Sequence, residues 1–175
     1  MKTREELIQK LPPGAMCAEI GVFEGEFSHF IHRTIRPSML YLVDLFQGAM
    51  ISGDKNGENI KTIQLEHSYQ ALLAKYHSNP EISLFRGRSE LFLSLLPDSH
   101  LDFIYIDGDH RYEGCCADLK LARKKVKRGG VIAGHDYCPQ FPGVMRAVDE
   151  FSCEHNLSLE LTSEDRCASY MLFNA

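Results

Sequence analysis

The chain has no tryptophan, no excess of positive charge and no run of roughly 18 apolar residues that could cross a bilayer. Its 19 Lys and Arg are outnumbered by 24 Asp and Glu, for a formal net charge of −5. This balance gives no electrostatic basis for nonspecific binding to nucleic acid or to an anionic membrane. The charged N-terminus lacks the apolar core of a signal peptide. The six cysteines include no C-x-x-C pair, and several lie in apolar runs, as buried free thiols do. We therefore predict a reduced, cytoplasmic protein.

What the sequence does contain is a regular alternation of strand-like and helix-like segments. We predict a single domain over residues 1–175, with an open, mostly parallel α/β sheet covered by helices on both faces. A Thr-x-x-Glu capping box predicts an N-terminal helix within residues 1–13. Gly129-Gly130 is predicted to cap the helix before strand five. Two helix-free strands, near 157–161 and at 168–173, predict a terminal antiparallel hairpin on one edge of the sheet.

One long segment, residues 47–59, carries three glycines and no strand or helix pattern. A loop of this length inside a compact domain is more often functional than a mere connector. We predict that it is a lid or substrate loop.

The first strand ends in a glycine-bearing turn that runs directly into a helix. Gly21 and Gly25 lack Cβ atoms, so the backbone can bend sharply and a ligand can approach it closely. Glu19 places a carboxylate at the mouth of this turn. The spacing Glu-x-Gly-x-x-x-Gly differs from the Gly-x-Gly-x-x-Gly of nicotinamide dehydrogenases, because Phe23 stands where the second glycine would be.

Ligands of open parallel sheets bind outside the carboxyl ends of the strands, so the polar residues at these ends are the candidates for function. Asp44 closes the second strand, where a carboxylate can accept hydrogen bonds from both hydroxyls of a ribose. Ser89 follows the third strand and either contacts an adenine or serves only as a helix N-cap. By position alone the candidates are Glu19, Asp44, Ser89, Asp107, Asp109, His110, His135 and Asp136.

With the glycine turn, Asp44, an acidic end to strand four and the terminal hairpin, the chain resembles class I S-adenosylmethionine-dependent methyltransferases from about residue 14 to its end. The resemblance implies a Rossmann-like seven-stranded sheet of order 3-2-1-4-5-7-6 with strand 7 antiparallel. It also implies S-adenosylmethionine as the cofactor. The cofactor site that it implies comprises Glu19, Gly21, Gly25, Ser28 and Asp44, and we extend this site to Ser89 and Asp107.

The segments 106–110 and 134–137 resemble those of metal-dependent small-molecule O-methyltransferases, especially macrolide-sugar O-methyltransferases and their bacterial relatives. This resemblance implies a divalent cation, Mg or Mn, held by Asp107, His135 and Asp136, with His110 as the catalytic base. His135 stands where those enzymes commonly carry a glutamate, and an imidazole ligand shifts metal preference towards Mn, Fe, Co, Ni or Zn. Two roles stay open for Asp109. It either contacts the metal ligands without binding the metal itself, or it competes with Asp107 for the metal.

The sequence thus predicts a methyltransferase that methylates a small-molecule hydroxyl, with a metal lowering the pKa of the hydroxyl and a histidine accepting its proton. Two alternatives stay open: a catalytically silent family member that binds cofactor or metal, and a metal-dependent hydroxylase-like or hydrolase-like relative. The chain is short for this class, so we also predict a homodimer in which a second subunit completes the acceptor groove. The sequence does not constrain the acceptor or the pathway, because substrate contacts in this fold lie on variable loops.

Overall fold

The computed structural model describes residues 1–47 and 62–174. Apart from Gln47, the predicted lid at 47–59 lies outside the described residues. In this part of the chain, no helix is both long enough and apolar enough to cross a membrane. The elements, in chain order, are α1 (Arg4–Lys10), β1 (Met16–Ile20), α2 (Glu26–Ile35), β2 (Met39–Asp44), α3 (Thr62–Tyr76), β3 (Ile82–Arg86), α4 (Ser89–Leu95), β4 (Leu101–Ile106), α5 (Tyr112–Lys125), β5 (Val126–Tyr137), α6 (Pro142–Glu154), β6 (Leu159–Leu161) and β7 (Ala168–Phe173).

The seven described strands form one sheet of order β3-β2-β1-β4-β5-β7-β6. β7 runs antiparallel to β5 and β6, and the other neighbouring strands pair in parallel. The predicted Rossmann-like topology is therefore confirmed. β4 shows why the parallel strands are apolar throughout: Phe103 and Tyr105 pack on one face with α1, α2 and α3, while Ile104 and Ile106 pack on the other with α4, α5 and α6.

The helix before β5 ends differently from the prediction. α5 stops at Lys125, and β5 continues through Gly129 and Gly130, so the predicted glycine cap is wrong. The side-chain amide of Asn174 donates to the Val126 carbonyl oxygen at 2.7 Å. The backbone N–H of Gly129 donates to the carbonyl of Asn174, whose own N–H donates to Gly130. A residue from the far end of the chain thus satisfies carbonyl groups at this helix end.

The turn after β1 packs directly against the end of β4. The N–H of Gly21 donates to the Val43 carbonyl at 2.8 Å, and the N–H of Asp107 donates to the Ile20 carbonyl at 2.7 Å. Gly21 has φ +85°, and a Cβ built on it would overlap the carbonyl oxygen of Asp107. This glycine is therefore required both by its left-handed backbone and by the close approach of a neighbouring strand.

We expect Gly21→Ala to destabilise the fold far more than Gly14→Ala. Gly14 is a matched control because its φ is also left-handed, at +77°, but an added Cβ would have nothing within 4 Å. Gly14→Ala should cost about 1 kcal/mol in the free energy of unfolding. Gly21→Ala should cost at least about 2 kcal/mol more, because the Asp107 backbone must move. Urea unfolding followed by circular dichroism measures both, and equal losses would contradict the packing described here.

Candidate active site

The carboxylate of Asp44 anchors the turn after β1. Its Oδ2 accepts hydrogen bonds from the backbone N–H groups of Val22 at 2.8 Å and Phe23 at 2.9 Å. Its Oδ1 accepts one from Phe46 at 2.7 Å. A carboxylate offers about four acceptor positions, so about one remains for the hydroxyl of a ligand. Contact of Asp44 with both ribose hydroxyls stays a prediction. It would require a ribose hydroxyl to replace one of the three backbone N–H groups that bond to the carboxylate.

Glu19 and Ser28 form a buried pair beneath the same turn. Glu19 is 2% exposed, and the completely buried Ser28 hydroxyl donates a hydrogen bond to its carboxyl group. Burial raises the pKa of Glu19 to about 8, against the opposing effect of the Ser28 hydrogen bond. Ser28 therefore contacts the side chain of Glu19, and its predicted contact with a cofactor is not tested.

Ser89 lies at the start of α4 and faces a carboxyl group that sequence reasoning missed. Arg88 occupies the N-cap position, so the alternative that Ser89 is the N-cap is wrong. The side chain of Asp118, on α5, lies close enough to Ser89 to interact with it. Asp118 is 2% exposed, and burial raises its pKa to about 7. The signal available in the sequence was an aspartate beside Leu119 on the otherwise apolar stripe of α5.

Four predicted residues meet where β4 and β5 end. The Nε2 atom of His110 lies 2.8 Å from Asp136 Oδ2 and 3.6 Å from Asp107 Oδ1. The Nδ1 atom of His135 lies 3.1 Å from Asp136 Oδ1 and 3.8 Å from Asp107 Oδ2. One ligand atom each from Asp107, His110 and Asp136 lies within 4.8 Å of the other two, a spacing that a single metal ion can bridge.

A bulge in β5 aims Asp136 at this cluster. Gly134 pairs with Tyr170, and Tyr137 pairs with Ala168, so β5 advances three residues while β7 advances two. His135 and Asp136 therefore stand together opposite Ser169 alone, and Asp136 has a left-handed φ of +60°. Bulges of this kind redirect side chains near active sites. The strand pairing of β5 with β7 thus determines where the carboxylate of Asp136 points.

The cluster is largely buried and strongly charged. Burial opposes protonation of His110, but the Asp107 and Asp136 carboxylates outweigh it and raise the pKa of His110 to about 9. Burial likewise opposes ionisation of Asp136, but His110 and His135 hold its pKa well below the usual range. Burial also opposes protonation of His135, and Asp136 and Asp107 raise its pKa. Each charge is thus stabilised by its neighbours.

The geometry of His110 fits a metal ligand. Its Nε2 is buried and makes no hydrogen bond within the described residues, because its contact with Asp136 has the distance of an ion pair without hydrogen-bond alignment. Neighbouring ligand atoms of an octahedral ion with bonds of about 2.1 Å lie about 3 Å apart, close to the 2.8 Å observed between these two residues. A nitrogen and carboxylate oxygens form a donor set suited to Mn²⁺, Mg²⁺ or Zn²⁺.

Asp109 does not belong to the cluster. Its carboxylate accepts hydrogen bonds from the backbone N–H of Arg111 at 2.9 Å and from the guanidinium of Arg111 at 2.5–3.1 Å. These bonds hold the pKa of Asp109 below its usual value. The carboxylate also packs against Gly114, so Asp109 organises the start of α5. In this arrangement Asp109 does not compete with Asp107.

A cavity of about 400 Å³ opens beside the cluster. Its walls come from α1, from the segment after β5 and from the turn between β6 and β7. The lining residues are Arg4, Glu5, His135, Asp136, Gln140, Phe141, Asp165, Arg166 and Cys167. The Phe141 ring also packs 4.6 Å from the His110 ring. A mostly polar cavity of this size suits a small hydrophilic molecule placed next to the Asp136 carboxylate.

Glu19→Gln should weaken the pH dependence of stability. The folded-state pKa of about 8 exceeds the ordinary value of 4.5, so the folded state binds the extra proton and loses stability as pH rises through this window. The glutamine still accepts the Ser28 hydrogen bond but does not ionise. The fall in the free energy of unfolding between about pH 6 and pH 9 should therefore be a few kcal/mol smaller in Glu19→Gln. Urea unfolding at both pH values measures this free energy of unfolding. Ser28→Ala, which keeps the carboxyl group, should retain the pH dependence, and an unchanged slope in Glu19→Gln would contradict this account.

The sequence of the chain was compared with protein families and known proteins. Residues 18–137 match the model of a methyltransferase domain. The chain is 30% identical over 135 residues, 75% of its length, to an uncharacterised protein of Acanthamoeba polyphaga mimivirus, and it spans 57% of that protein.

Two solved structures share the fold. A Streptococcus mutans protein in complex with SAH has 11% identity and a TM-score of 0.68, over 97% of this chain and 94% of that chain. The O-methyltransferase NovP has 21% identity and a TM-score of 0.65, over 98% of this chain and 80% of that chain. Identities this low show the fold alone. Because the family model covers well over half of the sequence, however, this chain belongs to the methyltransferase domain family.

Proposed function

We propose that this protein is an S-adenosylmethionine-dependent methyltransferase that methylates a hydroxyl group of a small molecule, assisted by a divalent cation. The observation that carries the proposal is the convergence of Asp107, His110 and Asp136, with a buried imidazole nitrogen that makes no hydrogen bond in the described structure. Membership of the methyltransferase domain family supports the reaction type. The cation and the hydroxyl acceptor rest on the chemistry of the site.

The cofactor half of the site lies at the turn after β1. Gly21 lets the turn pack against the Asp107 backbone at the end of β4, and Asp44 keeps one acceptor position free. Leu45 follows Asp44 in sequence, and Phe23 donates its backbone N–H to the Asp44 carboxylate. Both side chains are 40% exposed and offer apolar surface to a ligand. The similar Streptococcus mutans protein was solved with SAH, which agrees with a cofactor of this class.

The acceptor half is the cavity beside the cluster. A cation held by Asp107, His110 and Asp136 would lower the pKa of an acceptor hydroxyl and orient it. Phe141 packs on the His110 ring and limits its movement. His135 lines the cavity and, in its neutral form, can accept the proton from the acceptor. The chain's own residues thus supply positioning and proton transfer, which methyl transfer to a weak oxygen nucleophile requires.

This division of roles differs from the one predicted from the sequence, in which His135 binds the metal and His110 is the base. The spacing favours His110 as ligand because its Nε2 lies closer to Asp107 than His135 Nδ1 does, at 3.6 Å against 3.8 Å, and is buried without a hydrogen bond. Neither division has been tested. The cytoplasmic location, the homodimer and the absence of a nucleic-acid substrate also remain predictions, the last supported by the net charge of −5.

We expect Asp107→Asn to lower the affinity for Mn²⁺ about tenfold or more, because it removes a charged ligand. Asp109→Asn is a matched control two residues away, since the carboxylate of Asp109 is held by Arg111 outside the cluster. Isothermal titration calorimetry with MnCl₂ measures both. Equal losses in the two variants would contradict the assignment of the site.

The two histidines can be separated in the same titration. His110→Ala should weaken Mn²⁺ binding about tenfold or more, whereas His135→Ala should leave it nearly unchanged and slow turnover by about 10²–10⁴-fold. The reverse pattern would favour the division of roles predicted from the sequence.

Turnover provides the direct test of function. Purified protein, S-adenosylmethionine and a panel of sugars, catechols and other hydroxyl acceptors should yield S-adenosylhomocysteine, detected by mass spectrometry. Chelation by EDTA should abolish product formation, and added Mn²⁺ should restore it. Cofactor binding without product from any acceptor would favour a catalytically silent protein. Consumption of an acceptor without S-adenosylhomocysteine would favour a hydrolase-like or hydroxylase-like relative.

A further inference from the structure

Two of the six cysteines are joined, contrary to the expectation of free thiols. Cys138 and Cys167 form a disulfide, whereas Cys17, Cys115, Cys116 and Cys153 are free. The prediction of free thiols is therefore wrong for this pair. The reason is tertiary: the two residues are separated by 29 positions in the sequence and meet only through the pairing of β5 with β7.

The strand register explains how the two cysteines come together. Tyr137 on β5 pairs with Ala168 on antiparallel β7. One step further along this register, Cys138 stands opposite Cys167. Their Cα atoms are 5.1 Å apart, within the range for facing residues on antiparallel strands. The disulfide is thus a cross-strand link at the end of the β5–β7 pair.

This link closes the strand pair immediately beyond the bulge that aims Asp136. The N–H of Cys138 donates to the carbonyl of Asp136 at 2.8 Å, and the Cys138 carbonyl accepts from Phe141 at 2.9 Å. Asp136 itself has a left-handed φ of +60°, a strained conformation for a residue other than glycine. Such a conformation persists only where the surrounding structure enforces it. The disulfide is anchored two residues beyond Asp136, on the residue whose N–H bonds to the Asp136 carbonyl.

We propose that Cys138 and Cys167 form a redox-active pair, a site of reversible thiol–disulfide exchange that controls the affinity of the neighbouring cluster for a divalent cation. The inference rests on the proposed function, since it takes Asp136 as a metal ligand. In the oxidised protein the bulge is held and the Asp136 carboxylate faces Asp107 and His110. In the reduced protein the end of the strand pair is released, Asp136 can leave its left-handed conformation, and the cation is bound more weakly.

The pair is accessible to a small reductant. Cys167 is half-buried and lines the cavity of about 400 Å³, although Cys138 is only 7% exposed. A dithiol that enters this cavity can attack the Cys167 sulfur first. The exchange then balances: the protein S–S bond accepts two electrons and two protons and becomes two thiols, while the dithiol becomes a cyclic disulfide. A disulfide such as oxidised glutathione reverses the reaction and leaves as two glutathione thiols.

The β6–β7 turn gives the switch a second consequence. Cys167 follows Asp165 and Arg166 on this turn, and all three residues line the cavity. The turn is also joined to the start of the chain, because the N–H groups of Ser163 and Glu164 donate to the Lys2 carbonyl. Opening the disulfide therefore loosens one wall of the cavity as well as the strand that carries Asp136.

The test compares Mn²⁺ binding in the two redox states. Protein oxidised with glutathione disulfide, and protein reduced with a phosphine that is then removed, are titrated with MnCl₂ in a calorimeter. Alkylation of free thiols and intact mass verify each state. We expect reduction to weaken Mn²⁺ binding about tenfold or more, the effect typical of losing a group that supports a metal ligand. Hydrogen exchange at residues 135–138 in metal-free protein should become faster on reduction.

Two variants sharpen the comparison. The double variant Cys138→Ser/Cys167→Ser should bind Mn²⁺ with the weaker affinity whether or not it has been treated with reductant. Cys153→Ser, at an exposed free cysteine on α6, should respond to reductant as the parent protein does. Circular dichroism checks that both variants are folded.

Equal Mn²⁺ affinity in the two redox states would overturn the redox coupling and leave the proposed function standing. Unchanged hydrogen exchange on reduction would also overturn the coupling. Absence of Mn²⁺ binding in both redox states would overturn both the redox coupling and the metal site. In that case, formation of S-adenosylhomocysteine in the presence of EDTA would show that the protein transfers methyl groups without a metal.

Discussion

The close backbone contact between Gly21 and Asp107 is the constraint on which both halves of the site depend. It fixes the turn after β1, where a cofactor would lie, against the end of β4, which carries a proposed metal ligand. Only glycine fits there, because the backbone is left-handed and a neighbouring carbonyl occupies the space of a Cβ. Asp44 reinforces the same turn through two backbone N–H groups. In the proposed function, main-chain packing would therefore set the distance between the methyl donor and its acceptor.

The acceptor side depends on a second main-chain feature, the bulge of β5. Burying two carboxylates and two imidazoles together is costly unless each charge is compensated. Here His110 and His135 face Asp136 at 2.8 Å and 3.1 Å, and Asp107 lies within 4 Å of both imidazoles. The bulge brings these groups together by turning Asp136 into a left-handed conformation. A cation would replace the proton that the two carboxylates favour on His110, and it would use the His110 nitrogen that makes no hydrogen bond within the described residues.

Sequence reasoning reached the site because parallel strands end at the same edge of a sheet. Asp107, His110, His135 and Asp136 were all selected from the ends of predicted strands, and the structure brings them together. Features set by contacts between distant segments were not accessible in this way. The cap of α5 by Asn174, the Asp118–Ser89 pair and the Cys138–Cys167 disulfide each depend on which strands and helices become neighbours. Local patterns contain no record of such pairings, so the residues around Cys138 and Cys167 do not show that the two thiols meet.

The carboxyl ends of β4 and β5 are proposed to form one divalent-cation site beside the glycine turn. Its most direct test is anomalous X-ray diffraction at the Mn absorption edge from crystals grown with MnCl₂ and S-adenosylhomocysteine. The account predicts a single strong peak bonded to Asp107, His110 and Asp136, with the nucleoside lying along the turn at Gly21. A peak on other residues, or an ordered nucleoside with no Mn peak at the cluster, would contradict it.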